Sequence, residues 1–328
     1  MNEVGWWRVW LTCLAQAIGL DATDETAEEK LTDLARNRRA VFVIDGLEDL
    51  FQDFSRNANE QRALRALLTG CPQWLRALRG RPLGLVVFAR HDLVLKAIPQ
   101  NTQQFFERYR AYELRWNRTE ALRLVAWVCA QSGALKPAAN VDVRRARASE
   151  LSRLLIQVWG RKLGSDGSRE ARSEDWFIAA LSDFNLQIQA RDIVYFLAEA
   201  AGDSAGEEKA TRWSDRLLTP PAMRRALPRV SREKISAMAR ENVPVGDLFK
   251  RLQNLSDDIR KVPFTLTSVE LDLPEAQLLE ANGVLFREGD KCWIPEIYRH
   301  GLGFVGSNVG RPRIVSITKL IRDRRDDT

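Results

Sequence analysis

Two short apolar runs govern what this chain can fold into. Ala40-Val-Phe-Val-Ile44 runs straight into Asp45 and Gly46, and Leu85-Val-Val-Phe-Ala89 runs into Arg90, His91 and Asp92. Each is rich in β-branched residues and has no polar face, which suits a buried strand covered on both sides in a parallel sheet. The segment between them, Ser55 to Arg79, carries Leu64, Leu67, Leu68, Trp74, Leu75 and Leu78 at helical positions, with Pro72 as a break. Strand, helix, strand makes a crossover unit, so both carboxyl ends fall on one edge of the sheet, where ligands bind in open α/β folds. Gly46 lets the chain leave the first strand sharply. The plain alternative is that Asp45 serves only the turn that follows it, and that Arg90 is a surface residue at a strand end.

Around these runs the pattern is helical. Trp7, Trp10, Leu11, Leu14 and Ile18 predict an amphipathic helix over Gly5–Ile18 with its tryptophans in the core, and Thr26–Asn37 predicts a second. Tyr112, Leu114 and Trp116 alternate, predicting a last short strand over Tyr109–Trp116. Beyond it, helices are expected at Glu120–Ser132 (capped by Asn117 or Thr119), Ala148–Trp159, Ser173–Phe184, Ala190–Ala201, Ser231–Glu241, Gly246–Leu252 and Leu273–Ala281. Gly202–Gly206 reads as a polar break, Pro220-Pro221 as a boundary, Val284–Pro295 as a hairpin turning at Gly289-Asp290, and Arg322–Thr328 as a charged tail.

Composition narrows the function. With 328 residues the chain is long enough for two or three domains. The net charge of +6 and pI of about 9.3 rest mostly on arginines scattered through the chain, and read as a solvated surface. Cys13, Cys71, Cys129 and Cys292 lie too far apart for zinc or redox spacing and read as buried thiols of a reducing, cytoplasmic setting. His91 and His300 are the only histidines, which excludes a His-rich metal site. The first residues lack a basic-then-apolar leader, and no apolar run is long enough to span a bilayer.

The order of parts resembles the STAND class of P-loop ATPases, relatives of AAA+ proteins. Val41-Phe-Val-Ile-Asp-Gly-Leu-Glu-Asp-Leu50 is similar to their Walker B segment, Val86-Val-Phe-Ala-Arg90 to their sensor strand, and Tyr112-Glu-Leu-Arg-Trp-Asn-Arg-Thr-Glu-Ala-Leu122 to the entry of their helical lid. Gln189-Ala-Arg-Asp-Ile-Val-Tyr-Phe-Leu197 resembles a lid helix. The resemblance implies an α/β plus all-α chain: a partial P-loop NTPase parallel sheet over 1–116, a helical lid over 117–219 and a winged helix over 220–328. It implies Asp45 as the Mg²⁺ ligand, Glu48 as the catalytic acid that polarises water with Asp49 in reserve, and Arg90 and Arg191 as contacts to the nucleotide phosphates. The Walker A sequence, G-x-x-x-x-G-K-[ST], occurs nowhere. The chain therefore reads as a fragment, the product of a misassigned start, or a protein whose phosphate loop lies on a separate piece. ATP and Mg²⁺ are expected as cofactors of the intact parent, with neither held tightly by this chain.

Two other functions compete with that of an ATP-dependent switch: a DNA-binding regulator acting through the winged helix, and a non-catalytic scaffold derived from an ATPase. Acids interleave with the cations from Ser231 to Cys292, which disfavours nucleic acid there. Protein partners or self-association are expected, and no membrane.

Overall fold

Strand β1 (Ala40–Ile44) pairs in parallel with β2 (Leu83–Val87), Ala40 opposite Leu83 and Ile44 opposite Val87. The computed structural model containing them describes residues 1–51, 54, 57–114, 116–136, 141–206 and 213–306. The chain divides into two compact units, Met1–Glu113 and Leu114–Thr328, each with its own hydrophobic core. The charged tail at 322–328 lies outside the described residues.

The first unit packs helices on one face of this small sheet. Helix α1 (Glu3–Ala17) starts where the Asn2 side chain accepts the Gly5 N–H, and it buries Leu11 and Leu14. Trp7 and Trp10 pack against the core as expected, Trp10 donating its indole N–H to the Ala63 carbonyl at 2.8 Å. Helix α2 (Ala27–Asn37) leads into β1, and α3 (Leu47–Leu50) leaves it. The crossover to β2 runs through α4 (Ala58–Arg65), a π-helical turn (Ala66–Gly70) and α5 (Cys71–Ala77). Pro72 does not break this segment. It falls in the first turn of α5, just after the widened π turn, in which Cys71 N–H reaches back to Ala66 O. At a helix start proline forfeits no intrahelical bond. Helices α6 (His91–Ala97) and α7 (Thr102–Tyr109) complete the unit.

Two expectations fail in this unit. Among the described residues of Tyr109–Trp116 the expected strand is absent: α7 passes into a 3₁₀ turn at Arg110–Tyr112, and Tyr112 and Leu114 stand exposed. Alternation alone does not make a strand when no neighbour offers backbone partners. Nor is β1 covered on both faces. Phe42 is buried, whereas Val41 and Val43 are 65% and 64% exposed, and Val86 and Phe88 of the β2 segment are also open to solvent. The apolar run is that of a sheet with one bare face.

The second unit is helical with two small sheets. Asn117 caps α8 (Arg118–Gln131) by accepting the Glu120 N–H. Helices α9 (Ala148–Trp159), α10 (Ser173–Leu181) and α11 (Ala190–Gly206) follow. The polar stretch Gly202–Gly206 continues α11 instead of ending it. Pro220 and Pro221 open α12 (Pro220–Glu241), which runs 22 residues through Pro228. An interior proline removes a helical hydrogen bond at a cost of about 3 kcal/mol. Ten buried residues of α12, among them Met223, Leu227, Val230 and Ile235, offset this. One core spans the segments 117–219 and 220–306, from Leu122 and Phe177 to Phe249, Tyr298 and Phe304.

The end of this unit has a defined strand pattern. Helix α13 (Val243–Gln253) precedes β3 (Lys261–Val262), and Phe264 bridges antiparallel to Cys292. Helix α14 (Leu273–Ala281) begins in a capping box between Asp272 and Glu275. Strands β4 (Phe286–Glu288) and β5 (Lys291–Trp293) form the expected hairpin around Gly289-Asp290. Helix α15 (Glu296–Arg299) and β6 (Val305–Gly306), parallel to β3, close the described chain.

Glu296 ties down this end. Its carboxylate accepts from Arg299 at 2.7 and 2.5 Å, and His300 Nε2 lies 3.0 Å away. Burial raises its pKa, but the bonds from His300 and Arg299 outweigh burial and hold it below the usual carboxylate range. A depressed folded-state pKa stabilises above the unfolded value, at about pH 4–5, and that stability is lost as pH falls through the folded value. Glu296→Gln should therefore unfold at lower urea than the parent chain at pH 6, with the gap closing below about pH 4. Urea melts from pH 3 to 7 check this, and a pH-independent gap would refute it.

Candidate functional site at the carboxyl edge of the parallel sheet

The parallel register fixes where the expected site residues emerge. Ile44 ends β1 opposite Val87, and Phe88 N–H donates to Ile44 O at 2.8 Å, carrying the pairing to the sheet's carboxyl edge. Asp45 is the next residue on one strand, and Arg90 follows Phe88 and Ala89 on the other. Asp45 Oδ1 accepts the Gly46 N–H at 2.9 Å. Gly46 is left-handed (φ 76°), a conformation other residues adopt with strain, and it turns the chain into α3. Glu48 and Asp49 occupy the first turn of α3. The edge thus gathers Asp45, Glu48, Asp49 and Arg90.

The charges there are unevenly satisfied. Asp45, Glu48 and Asp49 are exposed, and among the described residues none makes an ion pair. Arg90 forks onto Asp92, Nε to Oδ1 at 3.1 Å and one terminal nitrogen to Oδ2 at 3.0 Å. The sequence reading gives Asp92 no role. Its signal is the spacing Arg-x-Asp at the start of α6, which folds the guanidinium back onto the helix. Arg191 lies in the second unit, in the first turn of α11, 3.8 Å from Glu241 and 3.4 Å from the Gln189 side-chain oxygen.

Three unpaired carboxylates within five residues repel a polyphosphate unless a divalent cation stands between them. Mg²⁺ suits such an edge, since it is commonly held by one or two carboxylates together with substrate phosphates and water. Among the described residues no three His, Cys, Asp or Glu side chains form a metal cage, so a cation here would need those outside ligands. The residues fit the cation. They do not supply a phosphate cradle, because the glycine-rich ring of backbone N–H groups is missing from the sequence.

Thiol chemistry is disfavoured. All four cysteines are free, and burial pushes Cys71 up to about 12 and Cys129 up to about 11. Cys13 is exposed, contrary to the expectation that all four are buried, yet partial burial and the nearby Asp24 raise its pKa too. No described helix is long and apolar enough to cross a membrane.

No family model, curated protein or solved structure matches the chain. What the fold and the edge define is a class: a helix-rich chain of two units, the first built on a small parallel sheet whose carboxyl edge is acidic.

Proposed function

We propose that the first unit carries the acidic half of a nucleotide-hydrolysing site of the STAND or AAA+ type. The observation that carries this reading is the parallel register that places Asp45, Glu48 and Arg90 on one sheet edge. In the assembled site Asp45 would hold Mg²⁺, which would supply positive charge against the nucleotide phosphates. Glu48 would polarise the attacking water, with Asp49 in reserve, and Arg90 would offset phosphate charge; Arg191, near Glu241 in the second unit, is not assigned to this edge. The phosphate loop must come from another polypeptide segment, and the bare face of Val41, Val43, Val86 and Phe88 leaves room for covering structure.

The pairing of Phe264 with β5 and of β5 with β4, around α14, supports a winged-helix reading within residues 220–306. Its surface suits protein better than DNA. The hairpin tip is Glu288-Gly289-Asp290, and the only charged residues of α14, Glu275 and Glu280, are acidic. Both are already paired, with Arg251 and Arg287.

The test is amide NMR with Mg²⁺ and ATP. Without a cradle, a single arginine near water gives weak binding, so perturbations should appear only at millimolar nucleotide. They should centre on residues 44–49 and 88–92, require Mg²⁺, and vanish in Asp45→Asn. Perturbations elsewhere, or none at these residues, would overturn the assignment. Micromolar affinity in calorimetry would mean that a complete phosphate site exists in residues given no role above.

A further inference from the structure

The opposite, amino edge of the same sheet collects arginines that the sequence leaves apart. Arg38 and Arg39 precede β1, Arg76 lies in the last turn of α5, and Arg79 and Arg81 flank the turn into β2. Ala40 N–H donates to Pro82 O at 3.1 Å, which sets the Arg38-Arg39 segment beside the Arg79–Arg81 turn. All five side chains are exposed, and among the described residues none has an ion pair or side-chain hydrogen bond. No acid occurs in residues 34–44 or 61–91. Asp33, one turn back in α2, is engaged by Arg36 at 2.9 Å.

Helix ends do not account for this. The carboxyl ends of α2 and α5 face the patch and favour cations, but each offers only about half a negative charge. Two such ends balance roughly one of the five guanidinium groups. Arg81 also sits at φ 47°, a conformation that side-chain-bearing residues rarely adopt, directly after the left-handed Gly80. A glycine would serve the turn better, so the turn alone does not explain an arginine there.

We infer that this arginine edge binds the phosphate backbone of double-stranded nucleic acid without reading its sequence. The patch contains no lysine, and the planar guanidinium is the side chain best matched to phosphate. It offers no stacking platform for single strands, because Trp74, the aromatic residue near Arg76 in sequence, packs against the unit's core. The site is independent of the nucleotide edge, on the far side of the sheet.

The experiment is fluorescence anisotropy of the full chain with a labelled 20-base-pair DNA duplex across a salt series. Five phosphate contacts predict a log–log slope of about −4.5, or about a 500-fold loss of affinity between 50 and 200 mM salt. Arg39→Gln/Arg81→Gln should flatten the slope by about 2, whereas Arg144→Gln/Arg145→Gln in the second unit should not change it. Arg81→Gly separates folding from binding: it should raise the melting temperature by relieving the left-handed residue, while weakening DNA. The inference is overturned by any of three results. The duplex does not bind at 50 mM salt; the edge variants bind as the parent does; or vesicles containing phosphatidylserine, or polyglutamate, bind more tightly than the duplex and respond to the same variants.

Discussion

Lys234→Met should lower the unfolding free energy of the second unit by about 3–5 kcal/mol, among the largest losses a single exchange in this chain can cause. Lys234 of α12 holds Asp192 of α11 at 2.8 Å, and the two side chains are only 7% and 5% exposed. Removing the ammonium leaves a carboxylate buried with no counter-charge. The pair itself is worth much less than that loss, since desolvation consumes most of its Coulomb gain. Lys234→Met combined with Asp192→Leu should therefore recover most of the stability, because α11 and α12 pack along an apolar seam that accepts both side chains. Urea unfolding followed by circular dichroism on the two variants checks this. A single-variant loss under about 1 kcal/mol would place the pair in contact with water.

The second large effect separates the two faces of β1. Phe42→Ala should cost about 3–5 kcal/mol, the range for emptying a buried aromatic site, since Phe42 is 6% exposed. Val41→Thr and Val43→Thr, one residue to either side, should each change stability by no more than about 0.5 kcal/mol. They should instead reduce concentration-dependent self-association, measured by sedimentation. Bare apolar sheet faces and unpaired strand edges recruit other chains, and among the described residues β1 and β2 have no third strand beside them. Equal losses from Phe42→Ala and Val43→Thr would mean that the valine face is covered.

That contrast shows where the sequence was legible. The position of β1 could be read to the residue, because a β-branched run closed by Asp45-Gly46 is a local signal. So could α9, α14 and the Gly289-Asp290 hairpin, where caps and turn residues act within four or five positions. Whether a face is covered depends on elements distant in sequence, and Val41 and Phe42 look alike in a string of letters. The lost strand at Tyr109–Trp116 fails for the same reason: its alternation is genuine, but a strand exists only through a neighbour. The sequence predicts only Ser231–Glu241 of α12; the helix also runs through Pro228, where local propensity is poor and burial offsets it. At the carboxyl edge, the grouping of Asp45, Glu48 and Arg90 followed from parallel pairing, while the fork from Arg90 to Asp92 did not. The five arginines of the amino edge look scattered until the register of two strands is known.

Helix α12 has a mechanical consequence. It begins where the first helices of the second unit end, and packs at once on α11, α13 and α15. Its buried ion pair with α11 resists sliding or rotation along that seam, since either motion would strand two charges. Helix α11 before residue 220 and helices α13 and α15 after it are therefore geared to one shaft. A push delivered at α15 is passed to α11 through α12, which packs on both.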